Sequence, residues 1–576
     1  MNAGPNRGVA LALMATLLVA PPSGHAQESV NVIRDRPGSS VCAVPFGLPP
    51  EVDDLNNQPQ GEVALDISEG GLLAAAAKDL RFSLTTGTLY NDRVWNGLYL
   101  SADGALWRNF AFEDSTPDIG LAGATDGSYG RPAGTRITLT HESDPVVAYD
   151  RDGNLFTSGL AYEPDVAGDP SAVVVSRRNA DGSLASGSVR LIGLENDANL
   201  FNDKNWLAVD REWPLERTIV VASWRLFTNR ADALAPEGGW IAVSGDGAST
   251  FSAPIRLPVP AQQAAASQFY QPLLGRDPVS GKRVLYVILR TGANDGTVAM
   301  HVVKADIDAV SGTAALETRL RDPLSWTFLA ARLSGLASYN ANGYDGTFRF
   351  SSYFVPAIDS ATGRLFAVVH ALDPVSRRSR TLISRSVDGA LTWSAPIPID
   401  DPGRGNQLMP AVAARDGRVY AVWYDSRNDL EFAPLSIIRA VDVYAASLDD
   451  SLRVQRVSRL TPEIQRADRP VFTRPRSAGA SSQMTGVERP HDFDPLASRA
   501  PGGVKAAASD IKADCVGDRY GFIGDYIGIA ANANEAWAAW TDLRDVTAEN
   551  ASSICAVGHS CAGNRNQTVR AVRVPR

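Results

Sequence analysis

The sequence predicts an all-β chain, a β-propeller of four-stranded antiparallel blades, with seven blades favoured over six. A unit made of a short apolar strand, a turn with Asp or Gly and a longer strand recurs along the chain. A Ser-x-Asp-Gly turn occurs three times at blade-like intervals, and helical periodicity is scarce. A blade cannot bury both of its faces alone, so the units are expected to stack around an axis.

The recurring unit has seven copies, each opening with a short strand that would lie innermost in its blade. These strands are Glu62–Asp66, Asp144–Asp150, Asn205–Asp210, Gln271–Gly275, Val355–Asp359, Met409–Ala414 and Asp525–Ala531. Residues 463–515 interrupt the repeat, because they are rich in Arg, Pro, Ser and Ala and hold few apolar runs. They predict a long insertion.

The first residues predict an exported protein. Residues 1–26 resemble a signal peptide, with a basic Arg7, the apolar run Gly8–Ala20 and a small-residue cleavage site ending at Ala26. An uncleaved membrane anchor is the alternative, although the run is short for a span. We therefore expect a secreted or periplasmic monomer with no membrane span after cleavage. Residues 27–60 are predicted as a lead-in, and residues 61–576 as the propeller.

The charge of the chain bears on its partners. The whole chain has 55 basic and 64 acidic residues, a net charge of −9. Removal of residues 1–26 takes away Arg7 and no acidic residue, which leaves 54 against 64 and a net charge of −10. This balance argues against nucleic acid or an anionic membrane as the partner.

Four cysteines lie in the exported part, and an even number in an oxidising compartment predicts two disulfides. Cys42 precedes the first blade and Cys515 the last, so propeller closure predicts a Cys42–Cys515 bond, with Cys555–Cys561 closing a small loop. The cysteines do not have the spacing of a metal site. No cofactor is expected, although the carboxylates of Asp425 and Asp429 could coordinate Ca²⁺.

The three Ser-x-Asp-Gly turns share residues that stabilise a hairpin. Asp388-Gly389 is a hairpin turn signal, and the hydroxyls of Ser386 and Thr392 can join the Asp388 carboxylate in bonding the turn, with Trp393 as a cap. The second copy has the equivalents Ser244, Asp246, Thr250 and Phe251. The third has Ser101, Asp103 and Trp107; it is one residue short and lacks the Thr.

These turns resemble the Asp box, S-x-D-x-G-x-T-W, of the sialidase (BNR-repeat) superfamily, with Ala390 where that pattern usually has Gly. The resemblance implies that the boxes are structural and that a ligand binds on the opposite face. It also implies an exo-α-sialidase-like activity on an acidic sugar. However, sialidases proper have six blades, and the Arg-Ile-Pro motif of catalytic sialidases is absent; the nearest string is Arg256-Leu-Pro258. A non-catalytic propeller that binds a glycan or a protein on the same face is therefore the alternative.

Strand polarity predicts which side chains lie on the ligand face. Arginine can hold a carboxylate through two parallel hydrogen bonds, a carboxylic acid can protonate a leaving oxygen, and an activated Tyr can act as nucleophile. The predicted catalytic residues are Asp425, Asp542 and Tyr526, and the predicted substrate-binding residues are Arg427, Arg544, Arg225, Arg290 and Arg81.

The role of the Trp-x-Asp-x-Arg segments on this face is left open, and further polar residues belong to the same face. Trp-x-Asp-x-Arg occurs at Trp423–Arg427 and at Trp540–Arg544, so these residues could instead be an architectural staple between blades. The entries of the blades add more polar residues to the same face: His141, Glu142, Asp144, Asn202, Asp203, Lys204, Gln268, Gln271, Arg404, Asn406, Gln407, Asp518, Arg519, Tyr520 and Asp525.

Overall fold

The chain forms an all-β propeller of seven four-stranded antiparallel blades, which confirms the predicted fold class and blade number. The structure, a computed structural model, describes residues 29–32, 60–79, 95–111, 139, 141–162, 170–179, 182–185, 189–195, 200–228, 237–292, 296–342, 348–435, 438–466, 523–544 and 568–576. The signal peptide, Arg81 and the four cysteines lie outside these residues, so the calls on them stay predictions.

After the first strand, β1 (Val30–Asn31), the chain builds its blades in order. Blade 1 contains β2 (Gln60–Ile67), β3 (Leu73–Asp79), β4 (Trp95–Ser101) and β5 (Arg108–Ala111). Blade 2 contains β6 (His141–Tyr149), β7 (Leu155–Tyr162), β8 (Ser171–Arg178) and β9 (Arg190–Glu195). Blade 3 contains β10 (Leu200–Val209), β11 (Val220–Thr228), β12 (Gly238–Ser244) and β13 (Ile255–Arg256).

Blade 4 contains β14 (Ser267–Arg276), β15 (Arg283–Gly292), β16 (Thr297–Asp306) and β17 (Trp326–Ala337). A short hairpin of β18 (Ala341–Asn342) and β19 (Arg349–Phe350) follows it. Blade 5 contains β20 (Val355–Ile358), β21 (Leu365–Asp373), β22 (Arg378–Ser386) and β23 (Ile397–Pro398). Blade 6 contains β24 (Gln407–Arg415), β25 (Arg418–Asp425), β26 (Ala440–Asp449) and β27 (Val454–Arg459), with β28 (Gln465–Arg466) also paired to β26.

Blade 7 joins the two ends of the chain. Its strands β29 (Gly528–Ala531), β30 (Ala536–Asp542) and β31 (Thr568–Arg573) come from the end of the sequence, and β1 is its outer strand. Val30 pairs with Ala571, and the Val32 amide donates to the Val569 carbonyl at 2.9 Å. The predicted lead-in 27–60 thus supplies a blade strand, which its low periodicity did not indicate.

Helix is rare in the described residues. The α-helices are α1 (Ala261–Ala265) and α2 (Thr313–Arg321), and single 3₁₀ turns occur at Leu215–Arg217 and Pro323–Ser325. No helix in the described part of the chain is long and apolar enough to cross a membrane.

The core lies between the blades, because each sheet packs on both of its faces. Strand β11 shows this most clearly, since all nine of its residues are buried. Trp107, Trp224, Trp423 and Trp540 are among the largest fully buried side chains. Burial of an aromatic side chain of this size contributes about 1.5–3 kcal/mol or more. The blade interfaces therefore hold the ring together and fix the positions of the strand ends.

The strand connections define two faces of the ring. The turns between first and second strands and between third and fourth strands lie on one face, which we call the turn face. The inner strands begin on the opposite face, which we call the entry face. All three Ser-x-Asp-Gly turns connect third and fourth strands and so belong to the turn face.

These turns make the hydrogen bonds expected from their sequence. Asp388 Oδ1 accepts from the Thr392 amide and the Ser386 hydroxyl, both at 2.9 Å, and Ser386 Oγ accepts from the Ala390 amide at 3.0 Å. In blade 3, Asp246 accepts from the equivalent amide at 2.9 Å and the equivalent hydroxyl at 2.7 Å. In the shorter turn of blade 1, Asp103 accepts from the Leu106 amide at 2.9 Å. Ala390 has φ of +69°, a left-handed conformation that explains why Gly suits this position.

Replacing Asp388 tests whether this turn is purely structural. Asp388→Ala should lower the free energy of unfolding by about 1–3 kcal/mol, because turn amides lose their acceptor. Ligand affinity of the folded protein should not change. Urea unfolding measures the first effect, and Asp152→Ala is the control, since Asp152 lies in an exposed turn and pairs with its neighbour Arg151 at 3.2 Å. Lost binding with unchanged stability would contradict the structural role.

Candidate functional site

The two Trp-x-Asp-x-Arg segments form the same contacts in blades 6 and 7. Asp425 is fully buried and accepts from Trp423 Nε1 at 2.9 Å and from the Arg427 amide at 2.8 Å. Asp542 is equally buried and accepts from Trp540 Nε1 at 2.9 Å and from the Arg544 amide at 3.1 Å. These bonds fasten the end of the second strand to the segment that follows it, as in the architectural alternative. A catalytic role for either carboxylate stays a prediction.

The predicted arginines of blades 6 and 7 have partners close in the sequence or at the blade edge. Arg427 pairs with Asp425 and, at 2.6 Å, with Asp400, and its guanidinium lies 3.8 Å from the centre of the Tyr444 ring. Arg544 donates to Asp542 at 2.9 Å and to Ser29 Oγ at 2.7 Å.

The arginines of blades 3 and 4 are engaged in the same way. Arg225 is buried and donates to Glu237 at 2.6 Å, and Arg290 donates to Gln268 at 3.2 Å. The four described arginines thus have separate partners in four blades, and the structure does not bring three of them together on one carboxylate.

The possible calcium ligands are also hydrogen-bonded. Asp429 accepts from the Glu431 and Arg439 amides, both at 3.0 Å, while Asp425 is bonded as described. Within the described ranges no group of three or more His, Cys, Asp or Glu side chains is arranged to hold a metal ion.

A different set of residues converges where the inner strands begin. Five inner strands have a bulge at this point, each with one non-glycine residue at positive φ: Glu62 (60°), Asp144 (52°), Lys204 (51°), Phe269 (57°) and Met409 (48°). A bulge redirects the side chain of the extra residue away from the regular strand pattern. In blades 1, 2 and 3, the residues redirected in this way are charged.

Lys204 is the centre of this arrangement. Its Nζ lies 3.6 Å from Asp144 Oδ1 and 3.9 Å from Glu62 Oε1, and it donates a hydrogen bond to Asp525 at the start of blade 7. One ammonium from blade 3 thus meets carboxyl groups from blades 1, 2 and 7. Glu62 and Asp144 are almost fully buried, whereas Lys204 and Asp525 keep a small exposed area.

Arg349 adds a second cation from outside the blades. It lies in the hairpin β18–β19, and its Nε and Nη2 donate to the two oxygens of Asp525 at 2.9 and 2.6 Å. Such paired hydrogen bonds fix the carboxylate in both position and plane. We call Glu62, Asp144, Lys204, Arg349 and Asp525 the entry cluster.

A layer of aromatic side chains lies against the entry cluster. Tyr353 donates from its hydroxyl to the Asp525 carbonyl at 2.9 Å and stacks on Phe269 with ring centres 4.1 Å apart. The predicted catalytic Tyr526 meets the edge of Trp206 at 5.7 Å, and its hydroxyl donates to the Pro145 carbonyl at 3.4 Å. Of the predicted site residues that the structure describes, Tyr526 is the one next to the entry cluster.

The surroundings shift the pKa values of the acidic groups in the entry cluster in opposite directions. Burial raises the pKa of Glu62 to about 7, the Asp144 carboxylate adds to this, and Lys78 and Lys204 oppose it. Burial would also raise the pKa of Asp525, but the Arg349 guanidinium and the Lys204 ammonium hold it well below its usual range. Burial raises the pKa of Tyr526 well above its ordinary value, so its phenol is neutral at pH 7. Glu62 can therefore carry a proton near neutrality while Asp525 is ionised.

Comparisons with known proteins do not assign a family. No protein-family model and no curated protein matches the chain. A protein of unknown function from Dyadobacter fermentans is 10% identical, with 93% of this chain and 98% of that chain covered and a TM-score of 0.36. An α-L-arabinanase from Penicillium chrysogenum is 12% identical over 73% and 98%, with a TM-score of 0.37. An ulvan lyase is 10% identical over 73% and 88%, with a TM-score of 0.35.

Similarity at this level carries no argument about activity. The propeller fold follows from the chain's own strand pairing, and the resemblance to sialidases stays a hypothesis.

Proposed function

We propose that this chain is an exported, glycan-active propeller that hydrolyses a glycosidic bond at the entry cluster. Glu62 would be the proton donor and Asp144 the second carboxyl group. The observation that carries the proposal is a buried glutamic acid with a pKa of about 7 beside a second carboxyl group, where the inner strands begin. A general acid works best when its pKa lies near the working pH.

The spacing of the two carboxyl groups is compatible with this chemistry. Glu62 Oε1 and Asp144 Oδ1 lie 3.9 and 3.6 Å from the same Lys204 nitrogen, so the two oxygens are separated by at most the sum of these distances. Glycosidases use carboxyl groups about 5–5.5 Å apart when they retain the configuration and about 6.5–9.5 Å apart when they invert it. This upper limit permits either separation and does not select between the two mechanisms.

The charge of the cluster bears on the sugar. Lys204 and Arg349 are both bound to Asp525, and with Glu62 protonated the five side chains balance to zero. This balance supports a neutral sugar at the cluster better than the acidic sugar expected of a sialidase-like enzyme.

A non-catalytic propeller is the second candidate, and one observation favours it. Asp525 is bound by two cations, and the network links blades 1, 2, 3 and 7, which also suits a purely structural closure of the ring. In that case, a glycan or a protein would bind at the entry face without being cleaved.

Activity assays on the exported chain distinguish the candidates. We expect the wild type to hydrolyse at least one glycoside in a panel of neutral, sialic acid and uronic acid substrates. Asp144→Asn should abolish this turnover. Asp306→Asn should not, because Asp306 pairs with Lys282 at 2.8 Å on the turn face. Full turnover in Asp144→Asn would overturn the assignment of the site. Glycan-array binding without turnover, lost in Asp144→Asn, would support the binding propeller.

A further inference from the structure

A cavity of about 510 Å³ lies along the axis of the ring and is lined by the inner strands of all seven blades. Trp206, Tyr353 and Tyr526 border it towards the entry face, while the charged residues of the entry cluster are not part of its lining. Its lining extends to Arg211, Glu212, Arg415 and Asp416, which lie at the turn-face ends of blades 3 and 6. The cavity therefore extends to the turn face, with the aromatic layer between it and the entry cluster.

The wall of this cavity can form hydrogen bonds. Within the described residues, each inner strand pairs with one neighbour, its own second strand, and its other edge faces the axis. Such an edge presents backbone N–H and C=O groups that need partners. The volume falls in the range of about 300–1,000 Å³ typical of small-molecule pockets. A ligand with several donors and acceptors can therefore bond to these strand edges.

Two arginines reach across the mouth of the cavity on the turn face. Arg211 of blade 3 donates two hydrogen bonds to Asp66 of blade 1, at 2.6 and 2.5 Å, and lies 3.9 Å from Glu69. Arg415 of blade 6 binds Glu69 of blade 1 at 2.9 Å. Blade 1 adjoins blades 2 and 7, so each ion pair passes over one blade. Both ion pairs therefore lie at the turn-face end of the cavity, whose lining includes Asp66, Arg211 and Arg415.

Glu69 occupies the place that a ligand carboxylate could take. It lies on the short turn between β2 and β3, and its side chain is 31% exposed. Its Oε1 lies within ion-pair distance of both arginines but accepts no hydrogen bond within the described residues. Arg415 is not fully used by this contact. Its Nη1 donates to Ser360 Oγ at 2.7 Å, while its buried Nε has no hydrogen-bond acceptor within the described residues, the nearest carboxylate being Asp416 at 3.6 Å. A guanidinium binds a carboxylate best through two parallel hydrogen bonds, which Arg415 can offer to an incoming ligand.

We propose that the turn-face mouth of the cavity binds a small hydroxylated carboxylate, of the sugar-acid class. The ligand carboxylate displaces Glu69 from Arg415, and the ligand hydroxyls bond to the strand edges inside the cavity. This site lies at the end of the axis away from the entry cluster and does not depend on the proposed catalysis.

Calorimetric titration with D-glucuronate and D-glucose tests the proposal, because the two sugars differ in one carboxylate. Glucuronate should bind the wild type at least about tenfold more tightly than glucose. Glu69→Gln should tighten glucuronate binding by about three- to tenfold, since it removes the competing carboxylate. Arg415→Met should weaken it by more than about tenfold, and Arg415→Lys, which keeps the charge but loses the paired donors, by an intermediate factor.

Two controls separate this site from the entry cluster and from misfolding. Glu62→Gln should leave glucuronate affinity unchanged; loss of binding there would place the ligand at the entry cluster and overturn the proposal. If Arg415→Met does not fold, the affinities of Arg415→Lys and Glu69→Gln for glucuronate still test the proposed site. Equal binding of glucose, unchanged affinity in the folded Arg415 variants, or weaker binding in Glu69→Gln would each refute the site.

Discussion

Glu62→Gln is expected to reduce turnover by a factor of about 10²–10⁴ and to leave the protein folded. The amide keeps the size and hydrogen-bonding capacity of the side chain but cannot deliver a proton to a leaving oxygen. The measurement is kcat on whichever glycoside the wild type cleaves. Glu535→Gln is the matched control, since Glu535 pairs with Arg573 at 3.2 Å on the turn face. Activity above about a tenth of wild type would remove Glu62 from the mechanism.

The same variant has a second readout, the dependence of stability on pH. The pKa of Glu62 is about 7 in the folded state against an ordinary value of 4.5, so the folded protein keeps a proton that the unfolded chain releases. The free energy of unfolding should therefore fall as the pH rises from about 4.5 to 7, by up to about 3 kcal/mol from this group. Urea unfolding at several pH values should show a weaker dependence in Glu62→Gln. An identical dependence would show that Glu62 titrates normally.

Lys204→Met is expected to have the largest effect on stability. It removes the ammonium that Glu62, Asp144 and Asp525 share and leaves buried carboxyl groups without that partner. Breaking a buried ion pair by removing one partner costs about 3–5 kcal/mol. Urea unfolding at pH 7 measures the loss, and it should be smaller at acid pH, where Glu62 is fully protonated. A loss below about 1 kcal/mol would mean that the cluster is effectively exposed to water.

An exposed ion pair provides the comparison for this prediction. Lys282 binds Asp306 at 2.8 Å, and its side chain is 54% exposed. Lys282→Met should cost no more than about 1 kcal/mol, because water already screens such a pair. The difference in the lost free energy of unfolding between the two variants measures how much burial strengthens the ion pairs of Lys204.

The fold could be predicted because its signals are local. Asp388-Gly389 forms the predicted turn through contacts made within eight residues, and similar turns end strands in blades 1 and 3. Strand β1 could not be predicted in the same way. Its place in blade 7 depends on pairing between Val30 and Ala571, at opposite ends of the described chain, and no local pattern encodes that contact.

Some residues of the candidate site could be predicted. Strand polarity assigned Asp144, Lys204, Asp525 and Tyr526 to the entry face, and the structure brings these four close together. Strand polarity gave no reason to prefer these residues over Asp425 or Asp542. The bulges that redirect Asp144 and Lys204 depend on the pairing of whole strands, which a local pattern does not show. Arg349 was missed because its hairpin lies outside the repeat. The two aromatic residues on either side of it, Phe348 and Phe350, are a signal that the sequence offered.

The closure of blade 7 by β1 has a kinetic consequence. Val30 pairs with Ala571, so the contact that completes the ring has almost the largest sequence separation in the chain. Contacts of this kind form late, since the entropy of closing so long a loop must be lost before they contribute. Blades 1 to 6 each consist of consecutive strands and can assemble while the end of the chain is still being made. Completion of folding therefore waits for β31, and until then blade 7 presents an unpaired strand edge to other proteins.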